Sequence, residues 1–404
     1  MPLTSVFRTP PFSVCATLLA LAVAGCGGGG SPQTQPQQST ASLVGAKIFA
    51  DPSLSASGQQ SCQSCHDFAS GLAAPNTLSV QPGGVNLERT GLRNSPSITY
   101  MRSEFAFHID PVDGPSGGFF WDGRESTLAT QATEPFTNPR EMAMADHSSV
   151  VAKLKVASYA NDFQAIYGAN VFDDVESAYT HMTEAIAAFE TEDTRFEPFT
   201  SKFDEVQRGA ATYSAAEARG FALFTDGSKG NCSACHPSDV GAFGALPIFT
   251  DRTYDNLGVP RNTEIPANAD PAYYDLGLCN NATIKASNPE VCGAFKVPSL
   301  RNVALRHSFF HNGRFHTLKD ALNFYVQRDT NPEKFYPLKS DGSYDKFNDL
   351  PQQYRQNVNQ EEVPYNRHQG ERPALGDAEV DDVIAFLGTL SDGYVATPSN
   401  QAPP

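Results

Sequence analysis

Two short segments of the chain carry the pattern Cys-x-x-Cys-His, at residues 62–66 and 232–236. In this pattern the two thiols can add across the vinyl groups of a haem, and the adjacent histidine can then ligate the iron. One copy alone would also fit a zinc or thioredoxin-like motif, but a zinc site needs four ligands close together, and these copies are far apart in sequence. We therefore predict two covalently bound haem c groups. The predicted attachment and ligand residues are Cys62, Cys65, His66, Cys232, Cys235 and His236.

The segments that precede the two motifs are also similar. Residues 45–53 and 220–228 each begin with glycine, continue with apolar residues at the end of a helical pattern, and close on a turn. Such a repeat indicates two similar modules. Alternating strand patterns are scarce, and the chain has 31 glycines and 29 prolines. We expect a mainly α chain with two cytochrome c-like haem domains and long irregular loops.

Helical spacing of apolar residues predicts a helix over residues 175–190 and an amphipathic closing helix over residues 380–387. The polar stretch 191–209 separates the two modules. The predicted organisation is a lipoprotein signal peptide at 1–25, a low-complexity tether at 26–41, an N-terminal haem c domain at 42–205, a C-terminal haem c domain at 206–395 and a disordered tail at 396–404.

The N-terminus has the features of an export signal, with Arg8 as its one charged side chain and an apolar run over residues 12–24. Small residues lead to Cys26 and resemble the bacterial lipobox, which implies cleavage before Cys26 and acylation of its sulfur. An ordinary signal peptide is the alternative. Elsewhere no uncharged apolar stretch reaches the ~20 residues of a membrane span. We expect a cell-envelope protein that faces the periplasm and touches the inner or the outer membrane only through this lipid anchor.

The formal net charge is −16. An acidic surface argues against nucleic acid as a partner and favours a cationic protein partner, although solubility alone explains the charge equally well.

Cys279 and Cys292 lie together in a stretch rich in Gly, Asn and Pro. In an oxidising compartment we expect them to form a loop-closing disulfide, with two unrelated thiols as the alternative.

The chain contains several further short sequence motifs. They are Phe-Trp-Asp-Gly-Arg at 120–124, Gln131 and Pro135, Asn-Pro-Arg-Glu-Met at 138–142, Phe-Lys-Val-Pro-Ser-Leu-Arg-Asn at 295–302 and His-Asn-Gly at 311–313. In these motifs, and from about Ala41 to Tyr394, the chain resembles the bacterial diheme cytochrome c peroxidases, and within them the MauG-like branch.

The resemblance implies that peroxide binds at the first haem and assigns roles to three residues. Glu141 corresponds to the catalytic glutamate of the pocket, where a carboxyl with a raised pKa can move a proton between the two peroxide oxygens. Gln131 would form a hydrogen bond in the same pocket, unless it is a surface loop residue. Trp121, the single tryptophan of the chain, would relay electrons between the haems; a core aromatic is the alternative.

The far face of the first haem is expected to lack a protein ligand. Many diheme peroxidases place a histidine there from the loop after the haem motif, but this chain has no histidine between His66 and His108. The position is therefore predicted to be empty or held by water, with His108 as the rival ligand.

The second haem departs from the usual peroxidase pattern, in which methionine is the second ligand. None of the five methionines lies beyond Met182. Fourteen residues after His311 stands Tyr325, as in MauG-like proteins, and the resemblance makes it the predicted iron ligand. His307, His311 and His316 are the alternatives, and an ordinary buried helix stripe would also account for Tyr325.

The resemblance further implies one structural calcium ion between the haems. Its ligands would be Asn94 and the backbone carbonyls of Arg306 and Ser308, since calcium prefers oxygen donors. Relatives usually have threonine and proline at the last two positions. An ordinary Asn turn before Pro96 is the alternative.

These residues predict a periplasm-facing peroxidase that reduces hydrogen peroxide at the N-terminal haem. Electrons would pass through Trp121 from the C-terminal haem, which a small cytochrome c or cupredoxin would reduce. One alternative is a MauG-like enzyme that uses peroxide-derived high-valent iron to oxidise side chains of a partner protein. The other is a non-catalytic diheme electron carrier, against which Glu141 and the open coordination position argue.

Overall fold

A computed structural model describes residues 38–112, 114–284 and 288–396. The predicted signal peptide with Cys26 lies outside these residues, and so does the tail from residue 397. In the part that is described, no helix is long and apolar enough to cross a membrane.

Helices dominate the described residues, as predicted, and the strands are short. The α-helices are α1 Thr40–Phe49, α2 Cys62–Cys65, α3 Leu128–Gln131, α4 Glu134–Thr137, α5 His147–Leu154, α6 Ala160–Tyr167, α7 Val175–Glu192, α8 Lys202–Gln207, α9 Ala215–Thr225, α10 Leu318–Gln327 and α11 Asp377–Gly388. Three two-stranded antiparallel ladders pair β1 Pro82–Gly83 with β2 Arg89–Thr90, β3 His108–Asp110 with β4 Gly114–Ser116, and β5 Tyr254–Asp255 with β6 Phe295–Lys296.

The repeated segments form the same helix crossing twice. Helix α1 packs on α7, and a Cβ at Gly45 would lie 1.8 Å from the Ala185 carbonyl oxygen. Helix α9 packs on α11, and a Cβ at Gly220 would lie 1.9 Å from the Asp382 carbonyl oxygen. Only glycine allows so close an approach of two backbones, so the repeated glycine seen in the sequence is a packing requirement.

Two hydrophobic cores follow from these crossings. The first collects buried residues between Val44 and Phe196, and the second collects buried residues between Phe203 and Leu390. A third and smaller cluster surrounds the disulfide Cys279–Cys292, whose Cα atoms are 4.9 Å apart.

Two helices lie partly or wholly in segments that the sequence analysis describes as a tether or a connection. Helix α1 begins at Thr40, inside the predicted tether 26–41, because the Ser39 side chain accepts a hydrogen bond from the Ser42 amide and caps the helix. The polar stretch 191–209, predicted as a connection, contains helix α8, which Ser201 caps in the same way through the amide of Asp204. Polar capping residues were mistaken for loop composition.

A turn repeats as well, one copy in each module. Phe119 bridges to Glu125 and Phe309 bridges to Phe315. In both turns the second phenylalanine has a left-handed backbone, with φ 64° at Phe120 and 66° at Phe310. The residue that follows is Trp121 in the first turn and His311 in the second, so the two occupy equivalent positions.

Candidate haem sites and the tryptophan between them

Each Cys-x-x-Cys-His motif lies in the wall of a large cavity. The N-terminal cavity encloses about 1870 Å³ of space free of protein atoms, its open mouth included, and the C-terminal cavity about 1420 Å³. The first contains Cys62, Cys65 and His66, and the second contains Cys232, Cys235 and His236.

Both motif histidines are held in an orientation that suits an iron ligand. The Nδ1 of His66 lies 3.1 Å from the Leu72 carbonyl oxygen, and that of His236 lies 2.8 Å from the Phe249 carbonyl oxygen. A carbonyl can only accept, so Nδ1 donates and the neutral ring keeps Nε2 as a free electron-pair donor. Burial lowers the pKa of both histidines, which favours that neutral form.

The four motif cysteines are unpaired thiols. Burial raises the pKa of Cys65, Cys232 and Cys235 to about 12, which favours the neutral thiol form. Across the described residues, no three His, Cys, Asp or Glu side chains come together as a metal-binding cluster. Thiols on the wall of an empty apolar space beside a ligand-ready histidine fit covalent haem instead.

Glu141 lies in the wall of the N-terminal cavity, on the turn after α4. That turn is closed by the Glu141 amide, which donates to the Asn138 carbonyl oxygen at 3.0 Å. Burial raises the pKa of Glu141 to about 7, although the Arg124 charge acts in the opposite direction. A carboxyl with this pKa can accept and return a proton near neutral pH. Gln131 lines the same cavity.

His66 is the only histidine among the described residues that line the N-terminal cavity. The rival ligand His108 lies on β3, exposed, with its Nε2 3.4 Å from the Ser116 hydroxyl. The structure therefore brings no second histidine to the site.

The C-terminal cavity contains Tyr325, which projects from α10 among aromatic side chains. Its ring centroid lies 5.3 Å from that of Phe310. His311 also lines this cavity, but its ring stacks on Phe295 at a centroid distance of 3.5 Å. The other two rivals are outside it: His307 is exposed, and His316 pairs with a glutamate.

Trp121 is the only described residue that lines both cavities. It is 6 % exposed. Its backbone oxygen accepts from the Lys296 amide at 3.0 Å, so both modules hold it in place.

A buried charge network supports this region. Arg93 pairs with Asp122 at 2.8 Å and with Asp275 at 2.6 Å. Burial alone would raise the pKa of Asp275, but the Arg93 guanidinium holds it at about 2. Asp275 lies in the C-terminal half, shortly before the loop closed by the Cys279–Cys292 disulfide, so this network ties that part of the chain to Asp122 beside Trp121.

The residues predicted to hold calcium lie partly together. The Asn94 amide nitrogen donates to the carbonyl oxygens of Ser308 at 3.1 Å and Phe310 at 3.2 Å, and its Oδ1 accepts from the Ser308 hydroxyl at 3.0 Å. Arg306 is buried in the wall of the C-terminal cavity.

Sequence reasoning missed several polar groups in the cavities. Glu190, near the end of α7, lines the N-terminal cavity, and burial raises its pKa to about 8. Tyr365 and the side chain of Arg306 line the C-terminal cavity. Glu190 directly follows Phe189 in the apolar pattern of the helix, which was the one signal available for it.

Two cavities with covalent-haem chemistry and a shared tryptophan define a diheme c-type protein. A family profile described as di-haem cytochrome c peroxidase matches residues 39–212. The chain is 35 % identical over 387 residues to the methylamine utilization protein MauG of Paracoccus denitrificans, covering 93 % of this chain and 95 % of that protein. It is 29 % identical over 289 residues to cytochrome c551 peroxidase of Nitrosomonas europaea, covering 71 % and 73 %.

The same architecture occurs in the crystal structure of the diheme peroxidase BthA from Burkholderia thailandensis. The TM-score is 0.82 at 36 % identity, and the match covers 92 % of this chain and 91 % of that one. The chain belongs to the di-haem cytochrome c peroxidase family and is a peroxide-dependent oxidoreductase.

Proposed function

We propose that the protein reduces hydrogen peroxide in its N-terminal cavity and receives the electrons from its C-terminal haem through Trp121. We assign residues 42–205 to the peroxidatic haem domain and residues 206–395 to the electron-transfer haem domain. Haem iron, when bound, supplies the peroxide-activating centre in the first cavity and the electron-transfer centre in the second. The observation that carries the proposal is that, among the described residues, Trp121 alone lines both cavities.

Glu141 transfers a proton between the two oxygens of peroxide. Reduction of one peroxide to two waters consumes two protons and two electrons. It also requires a proton to move from the peroxide oxygen nearer the haem to the more distant oxygen, which departs as water. With a pKa of about 7 caused mainly by burial, the carboxylate of Glu141 accepts the first proton and its acid form returns it. Gln131 donates its amide hydrogens to the bound peroxide from the same wall.

Trp121 carries the electrons. Its indole is buried and hydrogen-bonded, so little reorganisation accompanies its oxidation and reduction. It also lines both cavities. His236 and Tyr325 would hold the iron of the C-terminal haem, because both line the cavity that His307 and His316 do not reach.

Calcium is proposed at Asn94, with the carbonyl oxygens of Arg306 and Ser308. The contact between the Asn94 amide and the Ser308 carbonyl supports this, since the amide can present its oxygen once a cation is present. We also propose export to the periplasm and a lipid anchor at Cys26, on the sequence features of the N-terminus.

A second candidate function is the oxidation of side chains in a partner protein. Tyr325 in the second cavity and the similarity to the Paracoccus MauG protein favour it. A non-catalytic carrier is disfavoured by the proton-transfer group at Glu141.

One experiment separates the two candidates. Holoprotein is mixed with peroxide and a reduced donor, either a small cytochrome c or a cupredoxin, and donor oxidation is followed alongside peroxide loss. The proposal predicts two donor electrons per peroxide, with loss of turnover in Glu141→Gln. Peroxide loss without donor oxidation, coupled to removal of hydrogen atoms from side chains of an added partner protein, would overturn it in favour of the second candidate.

A further inference from the structure

Arg306 is a buried guanidinium that forms an ion pair with none of the described carboxylates. Its side chain lies in the wall of the C-terminal cavity and is 7 % exposed. Its Nε has no hydrogen-bond acceptor within the described residues. Burial lowers the pKa of Arg306 to about 10, and the one titratable side chain that acts against this is the phenol of Tyr325. An isolated buried charge is costly, so a bound anion is needed to offset it.

The other deeply buried arginines show how this fold usually treats a guanidinium. Arg301 is fully buried and pairs with Asp204 at 2.8 Å. Arg328 is fully buried and pairs with Asp329 at 2.7 Å. The chain provides a carboxylate for each of these two, whereas none of the described carboxylates pairs with Arg306. The missing anion is therefore expected to come from a group that occupies the cavity.

The C-terminal cavity contains charges of both signs. Asp255, Glu362 and Arg306 all line it, and the two carboxyls act electrostatically on Cys235. A haem attached through its vinyl edge at Cys232 and Cys235 has its two propionates on the opposite edge. The carboxyls that act on Cys235 would repel the propionates, and the Arg306 guanidinium would attract them.

We propose that Arg306 binds a propionate of the second haem and thereby sets its reduction potential. The guanidinium offers a planar pair of donors that matches a carboxylate, and charge-assisted pairs of this type are strong. A cation at the propionate favours the reduced haem, because reduction of the iron adds one negative charge to the haem. Arg306 would therefore act as a positioning residue for the haem. The inference rests on the proposed haem attachment at Cys232 and Cys235.

The test is a redox titration of the holoprotein and of variants, with haem content checked by intact mass. In Arg306→Met the equilibrium of the C-terminal haem is expected to shift about tenfold toward its oxidised form. This lowers its reduction potential by ~59 mV for a one-electron couple. Arg306→Lys keeps the charge and should shift the potential less. Arg306→Thr, which also removes the charge, should behave as Arg306→Met and covers the case in which Arg306→Met does not fold.

Controls separate this inference from its rivals. Arg314→Met removes an arginine that lines neither cavity and should leave the reduction potential of the C-terminal haem unchanged. The reduction potential of the N-terminal haem should be unchanged in every variant. If Tyr325 rather than a propionate were the anion, the effect of Arg306→Met would vanish in a Tyr325→Phe background, which would overturn the assignment. An unchanged potential in doubly loaded Arg306→Met and Arg306→Thr would also overturn it. Fewer than two haems in the unmodified protein would instead refute the proposed attachment.

Discussion

The indole of Trp121 donates its Nε1 hydrogen to the carbonyl oxygen of Asn94 at 2.8 Å. The side chain of Asn94 reaches the other module, where it donates to Ser308 and Phe310. The residue that lines both cavities is therefore oriented by the residue that joins the two modules. In the proposed function, this bond links the calcium position to the electron path.

Calcium should stabilise the protein through Asn94. A ligand that binds only the folded state stabilises it by about 2.7 kcal/mol at a hundred times its dissociation constant, so Tm should rise with added Ca²⁺ and fall with chelator. In Asn94→Ala this dependence should disappear, which calorimetry with and without chelator measures. Asn359→Ala, an amide elsewhere in the C-terminal half, is the control and should keep the dependence. An equal Ca²⁺ response in Asn94→Ala would contradict the assigned ligand.

The pH dependence of peroxide turnover should report Glu141. Because burial raises its pKa to about 7, the carboxylate needed to accept the first proton disappears below that pH, and kcat/KM should fall tenfold per pH unit. Glu141→Gln should lower turnover by roughly 10²–10⁴ and abolish this acid limb.

Glu134→Gln provides the matched control for that pH profile. The Glu134 charge helps to raise the pKa of Glu141, so its removal should keep the turnover and move the acid limb to lower pH. An acid limb that survives unchanged in Glu141→Gln would show that another group titrates.

Stability should fall with rising pH because of Glu190. Burial raises its folded-state pKa to about 8, above the ordinary value near 4.5, so between these values the folded state binds more protons than the unfolded state. The free energy of unfolding then decreases as pH rises, by at most about 1.4 kcal/mol per pH unit. Denaturant unfolding at pH 5 and pH 8 should show a smaller difference in Glu190→Gln. Glu361→Gln, at an exposed position, is the control. An equal loss of stability between pH 5 and pH 8 in the unmodified protein and in both variants would refute this account.

Sequence reasoning predicted most of the framework because its signals are local. The haem motifs, the repeated glycines Gly45 and Gly220, and the apolar pattern of α7 each depend on neighbouring residues. The fold then follows from packing each repeated helix against the last helix of its module. Helix caps such as Ser39 were missed because a lone serine is equally common in loops.

The polar interior could not be predicted, because its contacts join distant parts of the chain. Arg93 and Asp275 are 182 residues apart, and nothing beside either residue indicates the pair. The buried state of Arg306 is equally invisible in sequence, where an arginine in a loop is usually exposed. The roles of Glu141 and Trp121 came from the resemblance, and the residue types alone did not distinguish them from core or surface residues.

Replacement of Tyr325 should change the ligands of the second haem. Magnetic circular dichroism of the oxidised protein should show a histidine–tyrosinate centre that is lost in Tyr325→Met. Tyr365→Phe is the matched control, since this ring lies in the same cavity with its centroid 6.3 Å from that of Tyr325, and it should leave the spectrum unchanged. A bis-histidine spectrum in the unmodified protein would contradict the assignment and favour His311.

Electron transfer between the two haems in Trp121→Phe tests the proposed function most directly. Fully reduced holoprotein is mixed rapidly with one equivalent of hydrogen peroxide, and the oxidation of each haem is followed by its absorbance. The unmodified protein should oxidise both haems in one kinetic phase. Trp121→Phe, with both haems retained by mass, should oxidise the N-terminal haem at the same rate and leave the C-terminal haem reduced over that interval. Simultaneous oxidation of both haems in Trp121→Phe would contradict the electron path.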